Sequence, residues 1–282
     1  MCRRSCRRPP RRRSSPRPRT SPPEGAATST SASRSASSAA RSSSRPRRSP
    51  GERFTTDALL LRKVAYGEAD VVATFFTEAR GVVSAIARAA RKSSKRFGVL
   101  EPLHLLRVTL EERTGADLSH LVEAQLHRPR LGLLASLDRI EVASTALQWV
   151  RRASPPRVQE PMLWQDVNSL LEDLDAGPDP TVARAELAAM GLRLLQGAGW
   201  GLQLSSCVRC GRACEASATA CIDAAQGGLV CRACGGARLV LRPARRLALQ
   251  AALDGEPASL TEDDVTCAIE LVTETLRAHA AA

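Results

Sequence analysis

The sequence predicts an α+β protein of more than one domain: a five-stranded OB-fold barrel, then an all-α domain carrying a four-cysteine zinc-finger insertion, the whole preceded by a disordered tail. Three observations carry that expectation. Composition breaks sharply near residue 52, the hydrophobic period changes from two to helical after Pro129, and two C-x-x-C-G motifs lie in the second half of the chain. The implied divisions are a tail at 1–52, a barrel at 53–128 and a helical domain at 129–282, with the cysteine module at 205–238. At 282 residues there is room for two ordinary domains of roughly 100 to 200 residues each.

The tail is almost wholly Arg, Ser, Pro, Ala and Thr, and the first aromatic is Phe54, so it cannot bury enough apolar surface to offset its ordering entropy. It also carries the charge. The first fifty residues hold 14 Arg against one acid, Glu24, whereas the rest has 27 basic and 28 acidic residues; the net +12 therefore belongs to the tail and the body is near neutral. Any nucleic-acid contact by the body must rest on local clusters. Such a tail would serve as a polycationic arm on phosphate backbones, or as a dispensable extension.

Five short apolar runs follow, at 58–64, 71–77, 82–87, 103–111 and 118–124, separated by turn signals at Gly67, 78–81, the basic loop 88–98 and 114–117. In the fourth run Leu106, Val108 and Leu110 share one face while Arg107, Thr109 and Glu111 share the other, the two-residue period of a half-buried strand. Phe75 and Phe76 are adjacent, so at most one can fill a barrel. Five strands in about seventy residues suit a small OB-type barrel.

Beyond Pro129, Leu137, Ile140, Leu147 and Val150 mark one helix, which ends near Ser154-Pro155-Pro156, and 162–174 forms a second. A third has Asp179 as its cap, Pro180 at its first position and Gly197 at its end. Helices at 243–253 and 261–279 close the chain, the last opened by Thr261 and Asp264 as a capping pair. Cys267 falls on its apolar face.

Cys207-Val-Arg-Cys210-Gly and Cys231-Arg-Ala-Cys234-Gly are separated by twenty residues. Two residues between thiols let one tight turn aim both sulfurs at one tetrahedral ion, and a following glycine supplies the positive φ the turn needs. Four sulfurs leave no position for water, so a single Zn²⁺ here would be structural. Cys214 and Cys221 leave two alternatives open: substitution as ligands, or a six-sulfur iron–sulfur site. A redox role would need one motif at the start of a helix in a βαβ unit, and neither motif has that context.

Arg88, Arg91, Lys92, Lys95 and Arg96 put five cations in nine residues with no acid among them, between the third and fourth runs. On a barrel such a stretch would follow a phosphate backbone, extended by Arg62 and Lys63, with Phe97 as the best candidate to stack on a base. The bland alternative is a solvated basic loop. His104, His120, His127 and His279 are not spaced as metal ligands, and neither a phosphate-binding G-x-x-x-x-G-K-[ST] loop nor a G-x-S-x-G elbow occurs, so no enzymatic activity is expected. No run approaches the roughly 18 apolar residues of a membrane span, and the Arg-rich start has no apolar segment behind it; a cytoplasmic, nucleoid-associated protein without membrane contact is expected.

The stretch Ala58-Leu-Leu-Leu-Arg-Lys-Val-Ala-Tyr66-Gly67-Glu68-Ala-Asp70, then Phe76-Thr77 and Gly81, resembles the opening of the bacterial RecO family of recombination mediators. The basic stretch from Arg91 through Lys95 to Gly98, the run Leu192 to Gly199 ahead of Cys207 and Cys210, and Gly227-Gly228 before Cys231 are similar to the family's in the same order. This resemblance implies an OB-fold, a helical domain with a zinc insertion, binding to single- and double-stranded DNA, and strand annealing. It also implies association with RecR and single-stranded DNA-binding protein, and through them RecA loading. The sequence departs from the family at Ile222, where an aromatic is common, in the extra Cys214 and Cys221, in the arginine tail, and in a last helix lacking a basic end. The alternative reading is a zinc-ribbon RNA-binding or transcription-associated adaptor whose tail supplies the affinity.

Overall fold

Five strands, β1 (Glu52–Tyr66), β2 (Asp70–Thr77), β3 (Gly81–Ala87), β4 (Leu105–Glu112) and β5 (Ser119–Arg128), pair in the order β1-β2-β3-β5-β4, with β4 returning to β1. The computed structural model describes residues 51–92, 94–112, 117–177, 179–256 and 259–280; the expected disordered tail lies, up to residue 50, outside the described residues. Every pairing is antiparallel except a short parallel contact of β3 with β5 at Ala85↔Ser119 and Ile86↔His120.

Several boundaries differ from expectation for identifiable reasons. β1 starts six residues early, because its polar first half, Glu52 to Asp57, pairs with Glu112 to Arg107 of β4; a backbone ladder needs no apolar pattern. β4 starts late, since Leu103 takes a left-handed φ of 75° that no strand allows. The basic segment is not an open loop: it forms a 3-10 turn, Ala90–Lys92, and a single-turn helix, α1 (Ser94–Phe97).

Strand alternation divides the barrel wall between two cores. Val71, Ala73 and Phe75 point inward with Leu60, Val83, Leu106, Val108 and Leu110. Phe76 points outward with Leu59 and Val82 into the core of the helical domain, its ring 5.4 Å from that of Trp164 at 59°. As the adjacency of the two phenylalanines demanded, only Phe75 fills the barrel.

The second core is built by α2 (Leu137–Ala153), α3 (Pro161–Ala176), α4 (Pro180–Gly197), α5 (Pro243–Leu253) and α6 (Glu262–His279). Asp179 caps α4 by accepting from the Thr181 amide, and Thr261 with Asp264 forms a complete capping box on α6, as the sequence predicted. Cys267 is buried in this core. The domain is not all-α, however. β6 (Gln203–Cys207), β7 (Ala220–Asp223), β8 (Gly228–Leu229) and β9 (Leu239–Leu241) form a second sheet in the order β6-β8-β7-β9, of strands too short for a two-residue period to register in the sequence. Ile222, Leu229 and Leu241 anchor that sheet in the helical core.

Arg130 locks the seam between barrel and helices. Its side chain is fully buried and donates to the Leu103 carbonyl (3.2 Å) and to Asn168 Oδ1 of α3 (2.9 Å), while its amide donates to His104 Nδ1 (3.1 Å). Burial pushes its guanidinium below the usual arginine range, and Glu172, 3.9 Å away, opposes that. On the far side the Arg157 amide donates to the Val82 carbonyl (2.8 Å) and Gln159 Nε2 to that of Glu78 (3.1 Å).

Gly81 sits in this seam at φ +62°, where a Cβ would lie 1.8 Å from the Val158 carbonyl oxygen. Gly81→Ala should therefore lower unfolding free energy by about 2 kcal/mol or more in denaturant melts, since strain and backbone overlap add. Gly67→Ala, at φ +60° with nothing within 4 Å, should cost only the left-handed penalty of about 1 kcal/mol. Equal losses would contradict the tight seam.

Candidate metal centre and nucleic-acid interface

The cysteine site is assembled where β6 ends and β8 leads into a second turn. Cys207 closes β6, and the Gly211 amide donates back to its carbonyl (2.8 Å), with Gly211 at φ +70°. The second knuckle is a 3-10 turn, Arg232–Cys234, closed by the Cys234 amide on the Cys231 carbonyl (2.9 Å), with Gly235 at φ +104°. Both glycines take the conformation expected of them. Parallel pairing of β6 with β8 sets Cys207 beside Leu229, and the Val208 amide bonds the Leu229 carbonyl (2.8 Å), so the two turns face each other. Arg209 bridges them, donating to the Cys234 carbonyl and to Gln226 Oε1, each at 2.6 Å.

The sulfurs of Cys207, Cys210, Cys231 and Cys234 all lie within 4.8 Å of one another, with Cys210 and Cys231 at 3.7 Å. A tetrahedral ion with metal–sulfur bonds of about 2.3 Å separates its ligands by about 3.8 Å, so the group can hold one metal ion. Cys207 is buried and Cys210 exposed. The Cys231 amide, donating to the Cys207 sulfur at 3.3 Å, holds that thiol down at about 6, whereas hydrogen bonds with Cys231 and Cys210 push Cys234 up to about 12. A bound metal ion would require all four sulfurs as thiolates.

Cys214 and Cys221 stand apart from this group. The Cys214 sulfur instead accepts from the buried guanidinium of Arg246 at 2.8 Å, which binds the Cys214 and Glu215 carbonyls as well. Among the described residues no other cluster of histidine, cysteine or carboxylate fits a metal ion.

The basic segment is partly consumed by the barrel itself. Phe97 is 5 % exposed and, with Leu100, plugs the barrel core, so it cannot stack on a base. Helix α1 brings it inward, a turn that the loop-like composition hid. Arg96 lies 5.0 Å over that ring and donates to the Val122 carbonyl. Lys63 is held by the Leu100 carbonyl (2.7 Å) and Glu101 (2.9 Å), and Arg91 reaches the Glu68 carbonyl (3.3 Å). The side chain of Lys95 lies outside the described residues. Arg62, Arg88 and Lys92 are exposed and have no side-chain partner among the described residues.

One exposed aromatic escaped the sequence reasoning. Tyr66, 60 % exposed, ends β1 at the β1–β2 turn, and that turn holds the basic segment through the Arg91 amide on the Ala69 carbonyl (3.0 Å) and the Ala89 amide on Asp70 Oδ1 (2.8 Å). Only its position on a long strand end could have suggested exposure.

Two family models match the chain: Recombination protein O N terminal over residues 52–130 and Recombination protein O C terminal over 134–281. The chain belongs to the RecO family. It is 38 % identical over 184 residues to a "DNA repair protein RecO" of Anaeromyxobacter sp. (strain K), covering 65 % of this chain and 71 % of that relative. Like-named proteins of Myxococcus xanthus and Syntrophotalea carbinolica are 35 % identical over 188 residues and 33 % over 184, covering 73 % and 70 % of those relatives and 65 % of this chain. The first family segment ends at Arg130, where the barrel hands over to the helices, the second begins at residue 134, and the first 51 residues lie outside both. Ile222 is buried in the helical core.

Titrated with Zn²⁺ or Co²⁺, the full chain should bind one ion per chain and release protons, with affinity rising as pH rises because bound thiols are deprotonated. Cys231→Ser should abolish tight uptake and Cys214→Ser should leave it intact. Loss in both variants would show that the fifth sulfur is a ligand.

Proposed function

We propose that the chain is a non-enzymatic DNA-repair and recombination mediator, binding single- and double-stranded DNA through phosphate contacts and annealing complementary strands. The observation that carries this reading is the trio Arg62, Arg88 and Lys92, exposed and without side-chain partners among the described residues, with exposed Tyr66, on a barrel within the family-matched residues of an otherwise near-neutral body. Cations without carboxylate partners are free to replace the counterions of a phosphate backbone. Ring closure in the order β1-β2-β3-β5-β4 supports the reading of this barrel as an OB-fold, a scaffold that often presents such a surface to oligonucleotides. Arg91 and Lys95 would extend the patch, whereas Lys63 and Arg96 serve the barrel first.

One structural Zn²⁺ at Cys207, Cys210, Cys231 and Cys234 would hold the two knuckles together. The all-sulfur donor set supports zinc, and the close spacing of the sulfurs suits one ion better than a polynuclear cluster. Likeness to RecO proteins supports partnership with RecR and single-stranded DNA-binding protein, assistance to RecA loading, and a cytoplasmic, nucleoid-associated setting. No helix among the described residues is long and apolar enough to cross a membrane.

The concentration of 14 Arg in the first fifty residues favours the second reading, a zinc-ribbon RNA-binding or transcription-associated adaptor driven by its tail. Removing residues 1–50 separates the two. A mediator should still anneal complementary oligonucleotides, and Arg88→Gln with Lys92→Gln should flatten its log–log salt dependence by about one per residue changed. A tail-driven adaptor should lose binding altogether on truncation.

A further inference from the structure

A cleft of about 260 Å³ opens on the barrel's outer wall where β1 meets α2. Its lining joins Leu61 of β1, Leu103 ahead of β4 and Leu147 of α2 with the polar side chains of Arg62 from the barrel and Ser144, Gln148 and Arg151 from α2.

The local register explains how Arg62 comes to be there. Leu60 pairs with Phe75 but Arg62 pairs with Thr74, so Leu61 is an extra residue in β1, a bulge. Unbroken alternation would otherwise have sent position 62 to the same inward face as Ala58 and Leu60. Because of the bulge, Arg62 shares the outer face with Thr74 and Phe76, the face that packs on the helices. Leu61 packs against the helical core. On the facing helix Ser144, Leu147, Gln148 and Arg151 follow one stripe at spacings of three and four. Leu103 is fixed in its left-handed conformation by the Arg130 guanidinium on its carbonyl, so the cleft is held by the seam itself.

Neither Arg62 nor Arg151 has a carboxylate partner among the described residues, although each stands next to apolar surface. Two guanidiniums without carboxylate partners, flanking a slot of mixed lining in which Leu61 and Leu147 adjoin Ser144 and Gln148, suit an unstacked base with a phosphate on either side, the leucines against its face and the polar groups at its edge. The volume lies just below the roughly 300 Å³ at which pockets for whole small-molecule ligands begin, which suits a single base.

We propose that this cleft is a single-strand subsite, taking one unpaired base between Arg62 and Arg151 and so drawing the helical domain into the nucleic-acid interface. The proposal rests on the DNA-binding reading above and adds to it a preference for single strands, since a base inside a duplex cannot enter. It also gives Arg151 and Gln148 a role that no barrel residue can supply.

The test compares the full chain with Arg151→Gln and with Ser144→Phe, an exposed helical position whose new ring would fill the slot. Fluorescence anisotropy is followed for labelled oligothymidylate and for a duplex of equal length across a salt series. All three proteins carry the arginine tail, so its contribution cancels. Both variants should bind the single strand about tenfold more weakly and the duplex within about twofold of the parent. Arg151→Gln should lower the salt slope by about one, and Ser144→Phe should leave it unchanged. Unaltered single-strand binding in both variants overturns the subsite while leaving the DNA-binding reading intact. Equal losses for single strand and duplex overturn the base pocket and leave Arg151 a general phosphate contact. An oligo-aspartate peptide that binds the parent but not Arg151→Gln, with oligonucleotide binding unmoved, assigns the cleft to an acidic protein segment instead. Failure of the parent to bind either oligonucleotide overturns the DNA-binding reading itself.

Discussion

A β-strand must send alternate side chains to opposite faces, and in this protein the β1–β2–β3 wall is buried on both faces where Leu59, Phe76 and Val82 meet the helices. Phe75 goes to the barrel and Phe76 to the helices, with Leu60 and Leu59 divided in the same way. The barrel therefore cannot be an independent bead on a string: one wall of it is a layer of the second core. Phe76 against Trp164, Arg130 against Leu103 and Asn168, and Gly81 against Val158 are successive consequences of that shared wall. The buried, uncancelled part of the Arg130 charge is tolerated because two neutral acceptors and a nearby carboxylate surround it.

The cysteine site obeys a different constraint. Each knuckle is a local turn whose glycine relieves backbone strain, yet neither turn alone gathers four sulfurs. A two-residue strand, β8, does that by pairing with β6 on one side and β7 on the other. Arg246, buried beneath Cys214, ties the connection between the knuckles to α5 and leaves that sulfur occupied elsewhere. The four-sulfur set is thus selected from six by packing.

Much of the fold was legible because it follows from periodicity and caps. The inward row Leu106, Val108 and Leu110, the Asp179 and Thr261 caps and the two C-x-x-C-G knuckles lie where local chemistry put them. The failures are of one kind. Glu52 to Asp57 lies ahead of the first apolar run yet is a strand, because its partner β4 and not its own pattern satisfies its backbone. Phe97 reads as an exposed ring at the end of a basic loop, yet one turn of helix drives it into the barrel. Lys63 and Arg96 read as free cations and are tied to backbone carbonyls 26 to 37 residues away.

By itself, then, the sequence determined the near-neutral body beneath a cationic leader, the change from strand to helix, the spacing of four ligating thiols and the family to which the chain belongs, all of which depend on residues close together in the chain. Tertiary structure alone decided which cations remain unpaired, which aromatic faces solvent, which of six sulfurs converge, and that a bulge at Leu61 turns Arg62 toward α2. The physical reason is that a side chain's availability depends on what the rest of the fold brings within hydrogen-bond reach, and pairing between distant strands is invisible to any local pattern.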